Sequence, residues 1–256
     1  MKLGAQVYSV RDYIQTPEDY RNTLKQLKML GYDTVQHAGA DITDPYLLRD
    51  LTQEADIRQV TPCLTSESIL EDVDKAIQCV RILGCDSIML PCLHCDTLAT
   101  LDSFLAAWEP FEQPLRKMQE AGIHLCYHNH TFDIAPMFGR SDSFLDYLLE
   151  NKPDWQFILD VAWAQYAKVD TLAWMEKLGS RINCLHFKDY TASINAINTP
   201  VFCSCGNGLV TLDLYAQKAK DLGVEHIIIE QDNAQYYPEP FQQMEQSAIY
   251  LRTLFE

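Results

Sequence analysis

The sequence predicts an α/β protein, a closed (β/α)8 barrel forming a single domain over residues 1–256. Three observations predict it. Short apolar runs alternate with amphipathic stretches eight times, at ~32 residues per cycle, the size of a parallel βαβ unit. No Gly-rich dinucleotide turn follows the first run, which disfavours an open doubly wound sheet. No Pro/Gly/Ser-rich linker or compositional shift marks a domain boundary.

The cycles follow in order. Leu3 to Tyr8 reads as the first strand, and Thr16-Pro17-Glu18-Asp19 opens a helix with cap, proline and acidic first turn in the favoured order. Leu24, Leu27, Met29 and Leu30 give that helix its apolar stripe, and Gly31 stops it. Thr34 to His37 is the second strand, Asp44 to Glu54 a helix, Ile57 to Val60 the third strand, and Ser66 to Leu83 a helix ended by Gly84. Ser87 to Pro91 is the fourth strand. Leu101 to Ala121 is a long helix that Pro110 and Pro114 should shorten or kink. Ile123 to His128 is the fifth strand, Ser141 to Glu150 a helix, Gln156 to Leu159 the sixth strand, Thr171 to Leu178 a helix and Ile182 to Leu185 the seventh strand. A connection from Asp189 to Gly208 is longer than loops usually are, which points to a functional or disordered segment. Leu212 to Leu222, His226 to Ile229 and Glu239 to Leu254 complete the series.

Composition narrows the function. A formal net charge of -16 argues against a polyanion-binding surface, hence against nucleic acid, although 20 Lys and Arg leave room for a local basic pocket. No run of ~18 apolar residues and no basic-then-apolar leader is present, so a soluble protein without membrane attachment is expected. Nine cysteines, an odd number spread through apolar segments, suit a reducing, cytoplasmic compartment. A homo-oligomer is compatible with the sequence.

In a barrel of this kind the chemistry sits at the C-terminal ends of the strands. Four consecutive strands end in polar, metal-competent groups: Tyr127-His128-Asn129-His130 followed by Asp133, then Leu159-Asp160, His186-Phe187-Lys188-Asp189 and Ile229-Glu230-Gln231-Asp232. Neighbouring strands lie about 4.8 Å apart, so His128, Asp160, His186 and Glu230 can converge on one point. Mixed imidazole and carboxylate ligands suit Mn²⁺, Fe²⁺, Co²⁺ or Zn²⁺ better than Ca²⁺. Each residue has a plainer reading as a turn cap, a satisfied core histidine or a solvated carboxylate; their equivalent positions on adjacent strands favour the metal. Cys92-Leu93-His94-Cys95 and Cys203-Ser204-Cys205 raise a competing structural zinc site but lack the repeated knuckle spacing that makes that signal strong.

These strand ends, with Leu3 to Arg11, Gly31 to Gln36 and Gly206-Asn207-Gly208, resemble the xylose-isomerase-like TIM barrels, the sugar phosphate isomerase/epimerase superfamily that includes tagatose 3-epimerase, inosose dehydratase and endonuclease IV relatives. The resemblance covers nearly the whole chain. It implies one divalent metal, Mn²⁺ first and Zn²⁺, Co²⁺, Fe²⁺ or Mg²⁺ as alternatives, held by a Glu, an Asp, a His and a second Glu. Asp160, His186 and Glu230 match the last three. The first position departs: His128 stands where epimerase-like members place Glu, and a carboxylate follows at Asp133, which is the expected ligand. Trp163 replaces a frequent His and Gln36 a frequent Glu, which puts strict 3-epimerase chemistry in doubt.

The implied activity is proton abstraction next to the carbonyl of a sugar or cyclitol, with the metal stabilising the enediolate oxygen, leading to isomerisation, epimerisation or dehydration. Glu230 is the expected base, and His128, His130 or Lys188 the second proton-transfer group, with the Lys188 pKa expected to be lowered. Gln6, Tyr8, Trp163 and Asn207 are expected to hold hydroxyls or cover an apolar sugar face. The alternatives are a metal-dependent endonuclease-like hydrolase and a non-catalytic barrel that binds a sugar.

Overall fold

Local chemistry sets the element boundaries. Thr16 Oγ1 accepts from Asp19 N at 3.2 Å and starts the helix Pro17–Met29, while Asp44 accepts from Tyr46 and Leu47 and starts Pro45–Glu54. Asp72 divides what the sequence presents as one helix. Its extended backbone (φ -152°, ψ 84°) ends Ser66–Glu71, and its side chain caps Lys75 N at the head of Val73–Ile82. Pro110 and Pro114 act as expected on the next stretch, which splits into Leu101–Trp108, a 3-10 turn and Glu112–Glu120. The expected Ser141–Glu150 helix starts later, at Phe144, because Ser143 and Asp146 form a reciprocal capping box there. The computed structural model describes residues 1–38, 44–90, 100–137, 139–194 and 200–255; Pro91, Cys92, His94 and Cys95 lie outside them.

Eight parallel strands form one curled sheet: β1 (Lys2–Gln6), β2 (Thr34–Gln36), β3 (Arg58–Gln59), β4 (Ser87–Met89), β5 (His124–His128), β6 (Gln156–Asp160), β7 (Ile182–Phe187) and, after a hairpin, β10 (His226–Ile229). The order is β3-β2-β1-β10-β7-β6-β5-β4. The two edges meet through a parallel bridge between Cys63 and Met89, with Met89 N donating to Pro62 O at 3.0 Å, and this closes the barrel. Gly4 is needed where β1 runs closest to its neighbours, since a Cβ there would stand 2.4 Å from Ile228 Cδ1 and 2.5 Å from Thr34 Oγ1.

The expected long connection after β7 contains two antiparallel strands, β8 (Asp189–Ile194) and β9 (Pro200–Cys203). Inside the barrel, Val60, Cys126, Ile158, Cys184 and Ile228 form an apolar layer with Met89 packed on it. Side chains alternate across a strand with period two, so the next inward residue after four of these is His128, Asp160, His186 and Glu230. An apolar floor therefore lies directly beneath four polar strand ends.

Candidate functional site

The donor atoms of His128, Asp160, His186 and Glu230 all lie within 4.8 Å of one another. Asp160 and His186 are fully buried, and the side chains of His128 and Glu230 are each 9% exposed. Sheet register explains the meeting: Asp160 pairs with His186, and His186 with Ile228, two residues before Glu230.

A relay of hydrogen bonds fixes the His186 ring. Tyr8 N donates to Gln6 Oε1 at 3.3 Å, which turns Gln6 Nε2 toward Gln36 Oε1 at 2.8 Å. Gln36 Oε1 is then an acceptor, and His186 Nε2 donates to it at 2.7 Å. In the neutral ring this leaves a bare Nδ1 facing Glu230 Oε2 at 2.9 Å, two lone pairs that repel unless a proton or cation lies with them. His128 Nε2 and Asp160 Oδ2 stand 3.5 Å apart, and neither makes a well-formed hydrogen bond. Orphaned buried acceptors and two imidazole nitrogens beside two carboxylates fit a divalent cation.

Asp133, the expected first ligand, stands outside this group. Its carboxylate is engaged by Tyr127 Oη at 3.1 Å and by His130 N at 2.7 Å, where it closes the N-terminus of the short helix Thr131–Ile134. The structure brings His128 to the corner that the sequence reading gave to Asp133. The physical reason is local: a carboxylate three residues into a helix meets the free N–H groups of the first turn before it meets anything else.

Lys188 lies among the carboxylates, its ammonium 3.3 Å from Asp160 Oδ2, 3.0 Å from Glu230 Oε2 and 2.9 Å from Asp232 Oδ1. Burial acts to lower its pKa, but Asp232, Glu230 and Asp160 outweigh burial and hold it well above the ordinary lysine value, opposite to the expected lowering. Burial likewise acts to raise Asp160 and Glu230, and Lys188 with the histidines overcomes it, leaving both below the usual carboxylate range. Burial pushes Asp232 up to about 6 against the pull of Lys188, and pushes His130 down to about 3. His128 is lowered by burial and then by His186.

The cluster opens into a cavity of about 470 Å³ lined by Gln6, Tyr8, His130, Trp163, Met89 and Leu90 among others. Gln6 lines it with both polar ends already bonded. Trp163 stands edge-on to Phe202, and Tyr8 carries the Arg11 guanidinium 4.0 Å above its ring. Asn207 is not at the cavity; its amide donates to Ser204 Oγ at 2.7 Å and Gln246 Oε1 at 3.3 Å. Cys205 Sγ points to Phe187 O at 3.6 Å, and Cys203 is buried; the other half of the competing cysteine site lies outside the described residues.

Two contributors were passed over in the strand ends. Asp232 shares the inward face with Glu230, two residues on, and strict period-two counting would have found it. Asn129 brackets Asp160, accepting from Asp160 N at 2.8 Å and donating to Asp160 O at 3.3 Å, a role with no signature in sequence. Among the described residues no helix is long and apolar enough to cross a membrane.

A family model described as xylose isomerase-like TIM barrel matches residues 24–254. Among solved structures, a sugar phosphate isomerase/epimerase from Parabacteroides distasonis ATCC 8503 is 22% identical, with a TM-score of 0.76, over 98% of this chain and 95% of that one. A D-allulose 3-epimerase from Methylomonas sp. is 13% identical, with a TM-score of 0.69, over 99% of this chain and 98% of that one. The IOLI protein, solved with a bound zinc atom, is 12% identical, with a TM-score of 0.69, over 99% and 98% of the two chains. Among curated proteins none matches significantly.

Proposed function

The chain belongs to the xylose isomerase-like TIM barrel family, and from that premise we propose a divalent-metal-dependent isomerase, epimerase or dehydratase that removes a proton next to the carbonyl of a sugar or cyclitol. One observation carries the reading: four buried donors converge within 4.8 Å, with the facing atoms of His128 and Asp160 lacking hydrogen-bond partners. His128, Asp160, His186 and Glu230 would hold the cation. When bound, it would supply Lewis-acid polarisation of the substrate oxygen. Zinc in the IOLI protein and the epimerase neighbours support the reading without deciding the metal or the reaction.

Of the three carboxylates around Lys188, Glu230 and Asp232 divide the proton work. Glu230 is held by Lys188 at 3.0 Å and faces His186 Nδ1 at 2.9 Å. Asp232, raised to about 6, sits nearer the range in which a carboxylate exchanges protons at neutral pH. Lys188, within 3.3 Å of both Asp160 and Glu230, donates to a developing oxyanion or returns the proton, and His130, its ring 4.9 Å from that of His128 and on the same cavity, is the alternative proton-transfer group. Trp163 and Tyr8 cover the apolar face of the substrate.

Elemental analysis of the purified protein and of Asp160→Ala and His186→Ala tests the reading. Stoichiometric metal in the parent and its loss in both variants is the expected result; full retention in both sinks it. A second reading, a barrel that binds a polyol without chemistry, has Lys188 behind it, since this ammonium already gives the carboxylates a cation. Purified protein that takes up no divalent metal would favour it.

A further inference from the structure

We propose that Gln6 and Gln36 are positioning residues for His186: they fix its proton on Nε2 and so make Nδ1 the nitrogen offered to the cation. The inference rests on the cation site proposed above. It moves Gln6 from the substrate-holding role expected of it to one exerted through His186.

An imidazole between two polar groups can carry its proton on either nitrogen, and what those groups accept decides which. At His186 the two sides compete. Glu230 Oε2 lies 2.9 Å from Nδ1 and by itself would draw the proton there, because a charged acceptor outweighs a neutral one. Nδ1 would then have no lone pair left for a metal. Gln36, 2.7 Å from Nε2 on the other side, holds the proton away from Glu230 only while its oxygen, and not its NH₂, faces the ring.

Position 36 is where the resemblance led to Glu. A carboxylate would accept from His186 however it was turned, but an amide has two unlike ends and must be oriented. Gln6 orients it. The two glutamines stand opposite each other in the parallel pairing of β1 and β2, and Gln6 Nε2 donates to Gln36 Oε1 at 2.8 Å. Reversing Gln36 would set two NH₂ groups against each other at that distance. Gln6 cannot reverse to relieve the clash, since its Oε1 caps the 3-10 turn Val7–Tyr13 by accepting from Tyr8 N at 3.3 Å. A backbone N–H only donates, so the order of donors and acceptors runs one way, from Tyr8 to His186.

Two further observations bear on how firmly the order is imposed. Among the described residues Gln36 Nε2 is buried with no hydrogen-bond partner, so the amide leaves its own donor unsatisfied to keep its oxygen between Gln6 and His186. Gln6 is 1% exposed, and Gln36 and His186 are fully buried, which shields the links from bulk water. In such surroundings a wrongly turned amide has no solvent to rescue it.

The test is a double-mutant cycle read by Zn²⁺ affinity, together with NMR of the protein carrying nitrogen-labelled histidine, in which long-range proton–nitrogen correlations tell a protonated ring nitrogen from a metal-bound one. In the parent, His186 is expected to hold its proton on Nε2 and Zn²⁺ on Nδ1. Gln6→Met changes no atom that touches His186, yet it frees Gln36 to turn its NH₂ toward Nε2, and it should weaken Zn²⁺ binding ~10-fold or more. In the Gln36→Glu background, where the acceptor needs no orienting, the same Gln6→Met change should cost less than ~3-fold. Equal effects in the two backgrounds would make Gln6 merely structural and overturn the proposal, as would Zn²⁺ on Nε2 in the parent. If the parent takes up no Zn²⁺, the cation reading fails separately, and the spectrum of the metal-free protein decides the relay: a proton on Nε2 upholds it and a bare Nε2 overturns it.

Discussion

Replacing Lys188 by Met keeps the length of the side chain and removes a single charge, and the structure says what that charge holds apart. The ammonium lies 2.9 to 3.3 Å from oxygens of Asp232, Glu230 and Asp160. At an effective dielectric of about 20, one contact of that length is worth roughly 5 kcal/mol before desolvation, and several kcal/mol per buried ion must be subtracted. What remains on removing one partner is the repulsion among carboxylates left behind, for which about 3–5 kcal/mol is the usual cost. For a chain of 256 residues that lowers the melting temperature by roughly 10 °C. The folded pKa of Lys188 is raised, so its contribution is complete below the ordinary lysine value and is lost only as pH climbs through the raised one; melts at pH 7 read the full effect. A divalent cation should then recover more stability in Lys188→Met than in the parent, and Mn²⁺ should bind the variant about tenfold more tightly by calorimetry. A metal-free variant destabilised by less than about 1 kcal/mol, or one that binds Mn²⁺ more weakly, would refute the electrostatic account.

Metal titrations of two further variants separate the candidates for the fourth corner: His128→Ala should weaken Mn²⁺ binding at least ~10-fold, whereas Asp133→Asn, which retains the cap on His130 N, should change it less than ~3-fold; the reverse order would return the ligand to Asp133. Gly208→Ala should cost roughly 2 kcal/mol or more in urea denaturation, because the new Cβ expels Asp189 from its four N–H partners, and an unchanged midpoint would contradict the packing. Acid should destabilise the fold through His37, which burial lowers to about 4: a histidine with a depressed folded pKa gives stability present above its unfolded value near 6.5 and lost as pH falls toward 4, about 1.4 kcal/mol per pH unit. His37→Phe should flatten the fall in melting temperature between pH 6.5 and 5, and an unaltered slope would count against that assignment.

The barrel was legible because eight buried strands leave eight apolar runs, and because the inward period of two carries Cys126, Ile158, Cys184 and Ile228 straight to His128, Asp160, His186 and Glu230. What the sequence concealed depends on competition among neighbours. Asp72 breaks a helix whose apolar pattern continues through it, since its side chain favours capping Lys75 N over continuing the turn. Asp133 and His128 look equally able to reach a metal until the first turn of Thr131–Ile134 claims the carboxylate. Lys188 was expected to titrate low beside a metal, and only the positions of three carboxylates, one of them Asp232, reverse the sign. Asn207 sits in a conspicuous Gly-Asn-Gly turn, yet its amide is spent on Ser204 and Gln246.

The Asp189 carboxylate ties Tyr190 N at the start of the hairpin to Gly206 N, Gly208 N and Val210 N after it. Entry and exit of the excursion are thereby clamped at one point, and the entropy of closing it is met by the three hydrogen bonds from Gly206, Gly208 and Val210, which do not depend on its length. For protein engineering this makes the segment between β8 and β9 a replaceable cassette. Longer or shorter inserts there should leave the ligand-bearing ends of β7 and β10 in register, so the mouth of the barrel can be rebuilt without retuning the cluster beneath it.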